Sequence, residues 1–154
     1  YCEDTDLGLR LRWAGFRTVV APGAHVTHCY SMTAGKYSLQ KVFWVERNHC
    51  LVALKNFPPL LLLAFPFATL WRYLVQLYAL VSRSGDLIEF STQSNFFQLT
   101  AAIAKAYISA IAKAPSMLRR RKSFMAGRKI GSGQMLRIIL AHRISMAEVV
   151  IGPK

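Results

Sequence analysis

Cysteine is scarce in this chain: Cys2, Cys29 and Cys50 are the only three in 154 residues. An odd number without paired spacing argues against a disulfide framework and favours a reducing, cytoplasmic setting. Acids are scarce too, 7 Asp+Glu against 20 Lys+Arg, a formal net charge of +13. Charged residues of both signs make up only 18% and hydrophobic ones 53%, with mean hydropathy +0.27. A chain that apolar is not intrinsically disordered, and it is greasier than most water-soluble domains. There is no internal repeat, no low-complexity tract and no segment with the basic start, short apolar run and small-residue cleavage site of a signal peptide. The first residue is Tyr1 rather than Met, so the sequence reads as a piece of a longer protein.

The charge is uneven. Residues 1–82 hold eight basic and four acidic side chains (net +4), and residues 83–154 hold twelve and three (net +9). The basic excess follows the greasy part. Three regions are expected: 1–57, compact and mixed; 58–82, apolar and membrane-associated; 83–154, helical and basic.

Hydrophobic spacing predicts a helix over residues 4–14, with Asp4 or Thr5 as its N-cap and Gly15 as its stop. Residues 16–21, Phe-Arg-Thr-Val-Val-Ala, are rich in β-branched side chains and end at Pro22-Gly23, so they read as a strand, with a second over 24–28. Ser38 is placed to cap a helix reaching Asn56, stopped by Pro58-Pro59. Residues 60–82 carry one charge, Arg72. They are long enough for a bilayer core of about 30 Å, but a central arginine costs about 2.5–3.5 kcal/mol on insertion scales. An in-plane or re-entrant placement avoids that cost; a buried core helix is the water-soluble alternative. Leu99, Ile103, Tyr107 and Ile111 mark an amphipathic helix over 96–113, with Pro115 as its end and a last helix over 132–149.

The run Arg119-Arg120-Arg121-Lys122 is suited to phosphates, either of nucleic acid or of lipid. It has no interleaved aromatic residues and follows a membrane-suited segment, so anionic headgroups are the favoured partner, no nucleic acid is expected, and a plain solvated face is the remaining alternative. Glu3, Asp4 and Asp6 open the first helix, three of the seven acids within four positions. The helix dipole alone favours such a cluster; the functional alternative is a general base tuned by its neighbours. Arg10 sits one turn after Asp6, where an ion pair contributes about 0.2–0.5 kcal/mol. His25 and His28, three apart on a strand, face opposite ways and do not share a metal from that strand. His49 and His142 read as ordinary packing or surface residues.

The ordered set Cys2-Glu3-Asp4-Thr5-Asp6-Leu7, Arg10, Gly15-Phe16-Arg17, Ala21-Pro22, Val26-x-His28, Ser31, Lys41, Glu46-Arg47-Asn48 and Lys55-Asn56-x-Pro58 resembles the C-terminal end of the glycosyltransferase family 2 catalytic domain, in particular its bacterial rhamnosyltransferase-like members. The resemblance covers residues 1 to about 59. It implies an α/β architecture, the C-terminal end of a GT-A nucleotide-sugar transferase domain, followed by apolar and amphipathic helices. It implies inverting transfer of a sugar from a nucleotide-diphosphate donor to a glycan or lipid-linked hydroxyl acceptor in cell-surface polysaccharide, glycolipid or glycoprotein synthesis, on the cytoplasmic face of a membrane. It implies Asp4 as catalytic base with Glu3 and Asp6 supporting, Arg10, Arg47 and Asn48 as further supporting residues, and His28 near the metal. The implied cofactor is Mg²⁺ or Mn²⁺, held mainly by an N-terminal Asp-x-Asp absent from this sequence, where Asp4-Thr5-Asp6 occupies the base position instead. The 154 residues alone are therefore expected to be inactive.

Overall fold

The computed structural model describes residues 1–27, 38–82, 95–145 and 148. Among the described residues five helices follow in chain order: α1 (Glu3–Trp13), α2 (Leu39–Asn56), α3 (Pro59–Val81), α4 (Phe96–Ala126) and α5 (Ser132–Ala141).

The α/β expectation is overturned: among the described residues there is no strand, and all regular structure is helical. Residues 16–27 are irregular, with a turn closed by the Ala24 amide on the Ala21 carbonyl at 2.9 Å. Val19, Val20 and Val26 are 81%, 89% and 86% exposed. β-branched composition alone does not make a strand, because a strand is completed by a neighbour's hydrogen bonds, and among the described residues no segment supplies a ladder to this one. His28 lies outside the described residues, as does residue Ser31 of the resemblance.

The helix expectations fare better. Ser38 caps α2, its hydroxyl accepting from the Lys41 amide at 3.1 Å, and the chain leaves the helix at Phe57. Pro58 and Pro59 then serve as the start of α3, where a missing N–H costs nothing. Residue Cys2, with φ of 66°, caps α1 in place of Asp4 or Thr5. At the other end Gly15 adopts φ of +86° while its amide bonds the Arg12 carbonyl and the Phe16 amide bonds the Leu11 carbonyl, closing the helix by a Schellman turn. Two helix ends were misread: α4 passes through Pro115 to Ala126, and α5 stops at Ala141. A proline inside a helix removes one backbone bond, yet α4 is held by α2 on both sides of Pro115, through Ala106 and Ala110 before it and Arg121 after it. Pro66 is likewise interior to α3.

The main packing surface lies between α2 and α4. Leu39, Gln40 and Phe43 face Gln98, Ala102 and Lys105 at one end, and Arg121 donates to the Leu54 carbonyl (3.1 Å) at the other, so these two helices run parallel. Small side chains at the seam, Cys50 and Ala53 on α2 with Ala106 and Ala110 on α4, are all buried and let the backbones approach closely. The chain returns between them along α3, antiparallel to α2, with Phe65 against Phe57 near one end and Arg72 on Glu46 near the middle of both helices. Helix α1 sits across the C-terminal end of α2. Its fully buried Trp13 donates from the indole to the Asn56 carbonyl at 2.7 Å, and the Trp13 carbonyl accepts from the Lys129 amide at 2.8 Å.

Candidate functional site

The acidic first turn of α1 rests against α2, and the structure separates its three carboxylates. Asp6 is saturated. Its Oδ2 accepts from Arg10 Nε (3.0 Å) and Lys55 Nζ (2.8 Å), and its Oδ1 accepts from Asn56 Nδ2 (2.7 Å). Burial pushes the Asp6 carboxyl up, but the Lys55 and Asn56 hydrogen bonds and the charges of Lys55 and Arg10 outweigh it and leave it below the ordinary value. Glu3 is exposed. Asp4 is exposed, and among the described residues no hydrogen bond or ion pair engages it.

Glu3 and Asp6 open onto a cavity of about 200 Å³ lined also by Cys2, Asn48, Lys55 and Met117. Asp4 is not part of its wall. Asn48 reaches this corner by donating to the Tyr1 carbonyl at 2.8 Å, and Arg47 Nε in turn donates to Asn48 Oδ1 at 3.0 Å while its guanidinium lies 5.1 Å from the Phe43 ring centre. The structure therefore brings Glu3, Asp6, Arg10, Asn48 and Lys55 together. The basic run is remote from them in role: Arg119, Arg120 and Lys122 project outward from the helical C-terminal part of α4, while Arg121 turns in toward Leu54.

These acids do not suit a divalent cation. Asp6 already faces two cations and an amide, which engage both its oxygens and make the local field repel a further cation, and among the described residues no three His, Cys, Asp or Glu side chains gather at one point. His28, expected near the metal, is outside the described residues.

A second polar cluster went unforeseen. Glu46, 7% exposed, is gripped by Arg72 through Nη1–Oε1 at 2.8 Å and Nη2–Oε2 at 2.6 Å. The Tyr73 hydroxyl donates to Oε2 at 2.8 Å and itself lies 3.1 Å from the Tyr107 hydroxyl, so one chain of bonds ties α2, α3 and α4. Burial works against the Glu46 charge, yet the Arg72 bonds and charge win and hold its carboxyl below the usual value. His49 is pushed down by burial and by the Arg72 charge, and its ring packs edge-on to Phe65 at 5.1 Å. The signal was present in the sequence: Arg72 is the one charge between Lys55 and Arg83, and Glu46 the one acid between Asp6 and Asp86. Two solitary opposite charges in apolar surroundings are each other's natural partners.

Comparison with protein-family models, with curated proteins and with solved structures returned no match.

Proposed function

We propose that the chain is part of an inverting glycosyltransferase, moving a sugar from a nucleotide-diphosphate donor to a hydroxyl acceptor in cell-surface glycan or glycolipid synthesis at the cytoplasmic face of a membrane, with Asp4 as the base. The single observation supporting it is the division of labour in the acidic turn. Asp6 is committed to Arg10, Lys55 and Asn56, whose two positive charges and three hydrogen bonds hold it ionised and make it a poor proton acceptor, whereas Asp4, two residues earlier, has no partner among the described residues and stands in the open where an acceptor hydroxyl can reach it. In this reading Asp4 removes the hydroxyl proton as the oxygen attacks the anomeric carbon from the side opposite the departing diphosphate. Asp6 fixes α1 on α2 and so holds Asp4 in place, and Arg47 and Asn48 brace the start of α1. Donor and divalent cation are gripped by residues outside this sequence.

The test uses the full-length protein that carries this segment. Asp4→Asn is expected to abolish sugar transfer while leaving donor binding and thermal stability unchanged, whereas Asp6→Asn lowers stability. Undiminished turnover in Asp4→Asn removes the base. A second reading, a basic surface module without catalysis, is favoured by the placement of Asp4 outside the cavity wall; it predicts that no Asp4 variant changes any turnover.

A further inference from the structure

Helix α3 is inverted relative to a water-soluble helix. Thr69, Arg72, Tyr73 and Gln76 lie on its part-covered side, where Arg72 and Tyr73 reach α2 and α4, and of its polar side chains Tyr78 alone is exposed, an amphipathic ring suited to the headgroup level. The outward stripe of α3 is Leu63, Phe67, Leu70, Trp71, Leu74 and Leu77, each half exposed or more. Monomeric water-soluble proteins seldom present so continuous an apolar face, and polar-in, apolar-out is the pattern of a surface solvated by hydrocarbon. Among the described residues α3 is the one helix long and apolar enough to cross a bilayer, 23 residues or about 34 Å at 1.5 Å each. Its neighbours decide against crossing. Helix α2, laid antiparallel beside it, carries Arg47 near its middle, and α4, alongside α2, carries Lys105 and Lys113, which a spanning α3 would drag into hydrocarbon.

We propose that α3 lies in the plane of a bilayer, its outward stripe sunk into the headgroup and upper acyl layer of anionic phospholipid, with α2 and α4 on the water side. Charge complementarity names the lipid. Arg121 bonds the Leu54 carbonyl, five residues before α3 begins, so the exposed Arg119, Arg120 and Lys122 stand at the end of the bundle where α3 starts. There they meet phosphate headgroups while the stripe meets the acyl chains. The Glu46–Arg72 pair keeps the one charge of α3 turned away from lipid. This inference stands without the enzymatic reading.

The test is partition of the full chain into vesicles of phosphatidylcholine with one quarter phosphatidylglycerol, read by Trp71 fluorescence with lipids brominated at either carbons 6 and 7 or carbons 11 and 12. Trp71→Phe, measured in parallel, subtracts the signal of Trp13 and Trp44. An in-plane α3 gives stronger quenching from the shallow bromines. Phe67→Ser with Leu74→Ser, both exposed and so compatible with an unchanged circular dichroism spectrum, weakens partition at least ten-fold. Arg119→Gln, Arg120→Gln and Lys122→Gln together weaken it by about five-fold per charge removed, an effect that high salt reproduces. Stronger quenching from the deep bromines overturns the in-plane placement in favour of a span, because Trp71 is central in α3. Binding insensitive to the Phe67/Leu74 change, or no binding together with concentration-dependent self-association, overturns the lipid assignment.

Discussion

Arg72 and Glu46 meet end-on, two nitrogens to two oxygens at 2.8 and 2.6 Å, with side-chain exposures of only 14% and 9%. Removing one partner strands the other's charge. Arg72→Met and Glu46→Leu are each expected to lower unfolding free energy by about 3–5 kcal/mol, whereas the two changes combined cost far less than the sum. Urea denaturation of the four proteins of this cycle measures the coupling.

Acid will weaken the protein through two carboxylates. Asp6 and Glu46 are both held below their unfolded values, which are about 3.9 and 4.3. The unfolded chain therefore takes up protons first, and the stability these groups provide is complete above those values and lost as the pH falls from about 5 through the folded values. Asp6→Asn is expected to remove about 1.5–3 kcal/mol at pH 7 and to flatten the acid limb of the stability curve. Thermal melts between pH 3 and 7 give the comparison.

How much of this was legible beforehand divides along local and non-local lines. The Ser38 cap, the Gly15 stop and the Asp6–Arg10 pair were readable because each depends on neighbours within one helical turn. The strand over 16–21 failed because its completion depends on a partner segment, which composition does not reveal. The stop at Pro115 failed because packing against α2 on both flanks offsets a backbone penalty of about 3 kcal/mol. Of the site, the clustering of Glu3 and Asp6 was visible, but the saturation of Asp6 by Lys55 and Asn56 depends on contacts some fifty residues apart.

A side chain at Gly15 is strained. Its φ of +86° disfavours any L-residue, and a Cβ there would stand 3.3 Å from the Lys129 Cβ. Gly15→Ala is expected to cost about 1–2 kcal/mol, whereas Gly8→Ala, inside α1 with open space around it, is expected to stabilise by about 0.5–1 kcal/mol. Equilibrium denaturation of both variants checks the ranking.

Cys50 will be slow to react. Burial pushes its thiol up to about 11, so at pH 8 only about one molecule in a thousand carries the thiolate. Iodoacetamide labelling followed by mass spectrometry is expected to leave Cys50 unmodified in the folded protein and to modify it promptly in urea.

The indole and carbonyl of Trp13 join points that are remote along the chain, Asn56 on one side and Lys129 on the other. Such a joint closes only after the α2–α4 seam has brought its two anchors together, so α1 docks last during folding and is the first element released in native-state fluctuations. Amide exchange should accordingly be fastest in residues 3–13 among the helices that pack on α2, and the free carboxylate of Asp4 would then owe its position to the slowest-arriving piece of the molecule.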